Sequence, residues 1–388
     1  MSLGPSVPPP PAGGPGNRRR FVVVVPLLEE IQGNRHALAI AAELARNFDV
    51  SVVAWSATRG ALEDARRLAP GVALEALHLR PPRGRRMYRF LISQFRRRLD
   101  REVAAHLHRS HQERPIEHIL VGGNEAHWLA EYVRAWPSGP TPRPTLSVLI
   151  LDLVDGVYLL RHNRPYPLAR ELLAPVHALL HWSERERLRL FDRRFVNSRW
   201  TATLLAALYG WAPDGNLACI DTRTFVLGPV PPDGAPVYLA LPTASLAGHD
   251  PELARRLRAD GVPLVAYGPR TLEGIEFRGF LEEPDLVRLL QSARATLFLF
   301  DYEALGMIPL ESLACGTPVI TRPEQGPGLE LHGNDQVRFF RTYPELLAAC
   351  RELLAAPRTP DRGVACRSSI QEYSPEHAVA TLLSRLST

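Results

Sequence analysis

The chain contains no lysine, so all 46 of its basic residues are arginine. This absence excludes a Walker A phosphate loop and any chemistry that proceeds through a lysine Schiff base. Cysteine is scarce, and its four positions show neither a C-x-x-C pair nor the spacing of a metal site. These thiols therefore indicate a reduced, cytoplasmic protein. No apolar stretch approaches the roughly 20 residues that a membrane-spanning helix needs.

Length and composition describe an ordinary globular protein. The 388 residues are enough for two domains, and 45% hydrophobic with 22% charged residues is a typical content. A net charge of +5 and a pI near 9.2 permit an acidic partner without requiring one. The arginines suggest nucleic acid only weakly, because no recognised binding module accompanies them. No nucleic-acid partner is expected.

The most informative pattern runs from Ala295 to Thr321 and predicts a strand, a loop, a short helix and a second strand. Residues 295–300 form a short apolar run that is typical of a buried parallel strand. Pro309 suits the first turn of a helix, where its missing N–H costs nothing, and Gly316 is a natural helix stop. Residues 317–321 then predict the next strand.

Two carboxylates flank the predicted start of this helix, Glu303 in the loop and Glu311 near the first turn. Gly306 lies where backbone N–H groups are free and the helix dipole is positive, which favours an anion. Carboxylates beside such a site are useful if the anion carries sugars, because they accept hydrogen bonds from pairs of hydroxyls. The alternative is that both residues are solvated acids without a ligand. That alternative accounts for Glu311, because acids are favoured near a helix N-terminus, but it does not account for the surrounding glycines and proline.

The N-terminal half begins as a Rossmann-like unit. Residues 21–26 predict a buried strand, an alanine-rich helix follows to Asn47, and residues 50–57 predict a second strand. Gly33, at the head of that helix, either admits a ligand close to the backbone or only makes the turn. Further strand ends are predicted at residues 116–121, 146–153, 179–183 and 195–200.

The most basic region is residues 81–101, in which arginines alternate with apolar and aromatic side chains. Such a helix can lie on an anionic membrane with its apolar face inward. It can equally pack that face on the domain core and leave the arginines in solvent. Base rates favour the second interpretation, and peripheral membrane contact through residues 83–101 stays open.

A proline- and glycine-rich connector near residues 228–236 divides the chain. We predict a disordered tail at 1–20, a first Rossmann-like domain at 21–228, a hinge at 229–236, a second Rossmann-like domain at 237–373 and a terminal helix at 374–388.

The segment from Glu303 through Glu311, followed by the sequence Ala-Cys-Gly-Thr-Pro-Val at 314–319, resembles the E-x7-E motif of GT-B nucleotide-sugar glycosyltransferases, family 4 in particular. The resemblance implies two Rossmann-like α/β domains facing each other across a cleft, with the C-terminal helix crossing back to the first domain. It implies that Glu303 and the glycine loop meet the donor sugar and diphosphate, while Glu311 holds the ribose hydroxyls. The residues expected to bind the donor are Gly33, Asn34, Arg278, Gly279, Glu303, Ala304, Leu305, Gly306, Met307 and Glu311.

The chain departs from this family in two places. Relatives carry an arginine and a lysine after the strand that ends at Leu241, and residues 242–250 contain neither. We predict that Arg270 supplies the missing charge. Relatives also often place a histidine after a strand of the first domain, where this chain has Asp152, with His127 as a rival. The catalytic candidates are therefore Glu303, Asp152 and Arg270. The loop at 326–330 resembles a family loop that helps to frame the donor.

We therefore expect a retaining, metal-independent, hexosyltransferase-like enzyme of polysaccharide biosynthesis, with a nucleotide sugar as co-substrate, no other cofactor and a glycan, lipid-linked or small-molecule acceptor. We expect the enzyme to be cytoplasmic, and peripheral attachment to the inner face of the membrane stays open. The main alternative is a degenerate GT-B protein that binds its ligand without turnover. A GT-B epimerase is a further alternative, but it should show clearer acid and base carboxylates.

Overall fold

The computed structural model describes residues 18–28, 35–79, 88–123, 126–151, 182–230, 232, 234–243, 251–300, 303–324 and 326–387; for Leu27 and residues 88–96 it describes the backbone only. Within these residues the chain forms two separate parallel sheets. The first has the strand order β3-β2-β1-β4-β5-β6-β7, and the second has the order β10-β9-β8-β11-β12-β13.

The strands of the first sheet are β1 (Arg20–Leu28), β2 (Asp49–Ala57), β3 (Ala73–Ala76), β4 (His118–Val121), β5 (Thr145–Ile150), β6 (Arg193–Val196) and β7 (Gly215–Asn216). Its helices are α1 (Arg35–Leu44), α2 (Arg59–Leu68), α3 (Tyr88–Glu113), α4 (Leu129–Arg134) and α5 (Arg199–Tyr209). Successive side chains of a strand point to opposite faces, so Val23 and Val25 enter one core while Val22 and Val24 enter the other. The central strand is thus buried on both faces, as in α/β folds.

The strands of the second sheet are β8 (Leu239–Pro242), β9 (Leu264–Tyr267), β10 (Glu276–Phe277), β11 (Ala295–Leu297), β12 (Val319–Thr321) and β13 (Val337–Phe339). Its helices are α6 (Pro251–Ala259), α7 (Glu283–Ser292), α8 (Met307–Ala314), α9 (Gly326–Glu330), α10 (Tyr343–Ala355) and α11 (Pro360–Ser368). Two hydrophobic cores again lie on the two faces: Ala240 and Val319 belong to one, and Leu239 and Leu264 to the other.

The last helix, α12 (Pro375–Leu386), returns to the first sheet as expected. The Ser374 side chain accepts a hydrogen bond from the His377 amide at 3.2 Å and so caps the start of the helix. Its buried side chains Ala378, Val379 and Leu382 join the same core as α1. The prediction of two Rossmann-like domains with a crossover helix is therefore confirmed, while the predicted domain limits remain a prediction.

The described part of α3 packs against the first domain. Leu99, Val103 and Leu107 are buried in its core, and the Arg97 guanidinium lies over the Trp128 ring, 5.1 Å from its centroid. From residue 99 onward the apolar face is thus covered by protein. Residues 80–87 lie outside the described part of the chain. No helix among the described residues is both long enough and apolar enough to span a bilayer.

One strand prediction was wrong in the part that can be checked. The predicted strand end at 179–183 includes residues 182 and 183, which lie in a helix that continues to residue 188. The first three positions of that prediction lie outside the described residues. A short apolar run does not distinguish a strand from a buried helix, and here Leu188 packs into the core from a helix.

Candidate active site

The loop between β11 and α8 contains four of the predicted donor-binding residues, Glu303, Ala304, Leu305 and Gly306. Gly306 caps α8 with φ of 74°, a left-handed conformation that glycine adopts without steric cost. The first amides of α8 point out of the helix without partners inside it, and the positive end of the helix dipole lies there. Ala304 and Leu305 are buried, and the Glu303 carboxylate accepts a hydrogen bond from the Ala304 amide at 3.1 Å.

This loop is held in place by the glycines of α9. The Gly326 amide donates to the Glu303 carbonyl at 3.0 Å, and a Cβ on Gly326 would lie 2.0 Å from the Ala304 carbonyl oxygen. A Cβ on Gly306 would lie 2.3 Å from Cγ of Pro327. The two loops therefore touch backbone to backbone. This contact fixes the loop at 303–306 against α9.

Glu311 lies on the second turn of α8, one turn later than the sequence suggested, and is 4% exposed. Burial raises the pKa of its carboxyl group to about 7, the neighbouring Glu283 acts in the same direction, and Arg35 opposes them. Glu311 lines a small cavity of about 10 Å³ between the two domains. The pocket is lined by Arg35, Ala39, Leu68, Asp221, Phe225, Glu283, Met307 and Glu311.

Arg35, the first residue of α1, reaches from the first domain to carboxylates of the second. Its Nη2 lies 2.6 Å from Oε2 of Glu283, and its Nη1 lies 3.7 Å from Oε1 of Glu311. The guanidinium also lies over the Phe225 ring, 5.9 Å from the centroid. Sequence reasoning missed both Arg35 and Glu283. The available signal was the position of Arg35 directly after the predicted ligand loop at Gly33 and Asn34.

Two further predicted donor residues, Arg278 and Gly279, and the catalytic candidate Arg270 lie where β9 and β10 end. The Gly268 amide donates to the Gly279 carbonyl at 2.8 Å, and the Arg270 amide donates to the Thr243 hydroxyl at 3.3 Å. These contacts bring Arg270, Arg278 and Gly279 to the carboxyl edge of the sheet, the edge where ligands of such folds bind. Both arginine side chains are exposed, and Arg278 pairs with Glu276 at 2.6 Å.

Several predicted site residues cannot be located. Gly33, Asn34 and Asp152 lie outside the described residues, as do most of residues 242–250. His127, the rival to Asp152, is buried, and its ring stacks against Trp128 with 5.9 Å between centroids. Those contacts indicate a structural role for His127.

Glu330, at the end of α9, joins the two domains. Its carboxylate accepts hydrogen bonds from the Arg199 amide at 2.6 Å and from the Asn216 side chain at 2.9 Å. Burial raises the pKa of Glu330, and these two hydrogen bonds oppose that rise. An acid at the first amide of α5 also complements the helix dipole. Glu330 therefore fixes the second domain to the first.

The sequence of residues 270–358 matches the model of a family described as glycosyl transferases group 1. The matched stretch includes Arg270, Glu303, α8 and α9, and it covers less than a quarter of the chain. None of the curated proteins is similar enough in sequence to count as a match.

The whole chain is similar in structure to solved glycosyltransferases. Sucrose-phosphate synthase from Thermosynechococcus elongatus is 15% identical with a TM-score of 0.64, covering 95% of this chain and 98% of that one. Anabaena HepE, solved with UDP and glucose, is 14% identical with a TM-score of 0.63 and coverage of 95% and 99%. A glycosyltransferase from Rickettsia africae is 11% identical with a TM-score of 0.64 and coverage of 95% and 97%. The chain has the GT-B fold.

Proposed function

We propose that this protein transfers a sugar from a nucleotide-sugar donor to an acceptor, with retention of the anomeric configuration. The observation that carries the proposal is the buried Glu311 in the interdomain pocket, on the helix whose free amides begin at Gly306. A buried carboxylate can accept hydrogen bonds from a ribose diol, and a helix N-terminus can hold a diphosphate. The family match over residues 270–358 supports this assignment.

In this proposal each part of the site has one task. Glu311 binds the ribose hydroxyls, the amides of residues 305–307 hold the diphosphate, and Glu303 meets the donor sugar. Arg270 adds positive charge as the leaving diphosphate develops, which stabilises the transition state more than the ground state. The leaving diphosphate takes the proton of the acceptor hydroxyl on the face where the new bond forms. The enzyme mainly positions its substrates and stabilises charge, and it needs no metal for this.

A UDP-sugar is the first donor to test, because the HepE structure was solved with UDP and glucose. Acceptors to test are glycans, lipid-linked saccharides and small molecules. The alternative in which residues 83–101 contact the cytoplasmic face of an anionic membrane predicts binding that depends on salt. Pelleting with phosphatidylserine vesicles at low salt tests this contact, and loss of pelleting at high salt is the expected result. If the protein does not pellet with vesicles at low salt, the remaining interpretation is a helix that packs its apolar face on the domain and leaves its arginines in solvent.

The decisive experiment screens uridine, guanosine, adenosine and thymidine diphosphate sugars for thermal stabilisation, since a ligand that binds the native state raises Tm by mass action. Donors that bind are then incubated with acceptors, and NMR of the product gives its anomeric configuration. A product with the donor's configuration supports the proposal, and an inverted product contradicts it. Binding without transfer or hydrolysis would favour the degenerate protein, and an epimerised donor would favour an epimerase.

Glu311→Ala tests the site assignment directly. Losing a charge-assisted hydrogen-bond acceptor should weaken nucleotide binding by about 1.5–3 kcal/mol, measured by titration calorimetry. Glu324→Ala is the matched control, because Glu324 is an exposed acid whose ion pair with Arg341, at 2.6 Å, lies on the surface. Equal affinities of the two folded variants would remove Glu311 from the site.

A further inference from the structure

Arg35 is the residue through which the first domain enters the candidate donor site. Its side chain is only 20% exposed, and it pairs with Glu283 and Glu311, which belong to α7 and α8 of the second domain. Its Nε atom is buried and has no hydrogen-bond partner among the described residues. Of the described residues that line the interdomain pocket, Arg35 alone is a cation.

The surroundings of Glu311 are otherwise unfavourable to a negative charge. The carboxyl is almost fully buried, which costs an ionised group its hydration. Its described titratable and charged neighbours are Arg35 on α1, Glu283 on α7, Tyr267 on β9, Cys315 at the end of its own helix, and Asp221, which lines the same pocket. Only the first of these is positive, so ionisation of Glu311 depends on Arg35.

We propose that Arg35 is a positioning residue for the nucleotide, which keeps Glu311 ionised and aligned by an ion pair across the cleft. This inference rests on the proposed function, since it assumes that Glu311 receives the ribose hydroxyls. An ionised carboxylate offers both oxygens as acceptors, whereas a protonated one loses part of that capacity. The 2.6 Å pair with Glu283 anchors Arg35, and the 3.7 Å contact places its guanidinium beside the Glu311 carboxylate.

The inference links nucleotide affinity to the arrangement of the domains. Because Arg35 begins α1 and its partners lie on α7 and α8, Glu311 has its cation only when the domains lie together as in this structure. Without the first domain, Glu311 would keep Glu283 beside it and lose the Arg35 cation. The first domain therefore supplies the positive charge of this site.

The test measures the Kd of UDP by calorimetry between pH 5.5 and 8.5 for the native protein, Arg35→Gln and Arg35→Lys. Arg59→Gln is the matched control, because Arg59 is 94% exposed and pairs only on the surface with Glu63. Below the pKa of Glu311 the affinity should fall about tenfold per pH unit. In Arg35→Gln this decline should begin about one pH unit higher or more, and Arg35→Lys should restore the native profile. UDP's own titration is common to all variants and cancels in the comparison.

A ligand-free measurement separates this inference from the proposed function. The Glu311 carboxyl is titrated by carbon-13 NMR of glutamate-labelled protein, with Glu311→Gln identifying its signal. Arg35→Gln should raise the pKa of Glu311, and Glu283→Gln should lower it. An unchanged pKa in Arg35→Gln overturns the inference, as does a loss of UDP affinity that is the same at every pH. A native protein that binds no nucleotide overturns the proposed function instead, whatever the NMR titration shows.

Discussion

Replacing Gly306 by alanine should break the contact between the loop at 303–306 and α9. Two costs add at this position. A residue with a Cβ at φ of 74° is strained by about 1–2 kcal/mol. The new Cβ would also lie 2.3 Å from Cγ of Pro327, whose ring cannot rotate away, and such overpacking costs about 1–3 kcal/mol. We therefore expect a loss of about 2–5 kcal/mol in the free energy of unfolding of the second domain.

Two other glycines separate these costs. Gly333 has φ of 80° but open space around its Cβ, so Gly333→Ala should show the strain alone, about 1–2 kcal/mol. At Gly326 the Cβ would lie 2.0 Å from the Ala304 carbonyl oxygen, so Gly326→Ala should show the clash alone, about 1–3 kcal/mol or more. Each alanine also lowers the conformational entropy of the unfolded chain, which stabilises the folded protein. This effect is the same for all three variants, so it does not change the order of their stabilities.

The assay is urea unfolding followed by circular dichroism, together with calorimetry of nucleotide binding to each folded variant. Gly306→Ala and Gly326→Ala should also bind nucleotide more weakly than the native protein, because relief of the clash displaces the loop that leads into α8. Gly333→Ala should bind as the native protein does. If Gly306→Ala is no less stable than Gly333→Ala and binds nucleotide normally, the contact with Pro327 does not hold the loop.

Three further predictions concern charge and capping. Arg270→Ala should reduce kcat far more than it weakens nucleoside binding, because it meets charge that develops in the transition state, and equal losses in kcat/KM and in nucleoside affinity would argue against this role. Glu311 has a pKa of about 7 when folded against an ordinary 4.5, so its stabilising protonation is complete below pH 4.5 and is lost as the pH rises through 7. Between pH 4.5 and 8, the free energy of unfolding of Glu311→Gln should therefore rise by about 3 kcal/mol relative to that of the native protein, as measured by urea titration. A difference between the two proteins that does not change with pH would contradict the burial of the Glu311 charge. Ser374→Ala removes the cap of α12 and should cost about 1 kcal/mol, and an unchanged urea midpoint would show that the cap contributes nothing.

Local patterns in the sequence were enough to predict the elements that carry the site. The strand predicted from residue 295 begins there in the structure, and α8 begins at Met307, between Gly306 and Pro309. These predictions succeeded because glycine, proline and strand periodicity act within a few residues. The predicted strand at 179–183 failed in its last two positions, where a short apolar run is compatible with either structure.

The sequence by itself determined the class of fold and placed Glu303, Gly306 and Glu311 in one strand-loop-helix segment. Only the tertiary structure decided what surrounds them. Arg35 and Glu283 are remote in sequence from Glu311, and they meet it because α1 of one domain faces α7 and α8 of the other. Burial of the Glu311 carboxyl depends on that same packing. Ion pairs and pKa shifts arise from distances between elements, which no local pattern specifies.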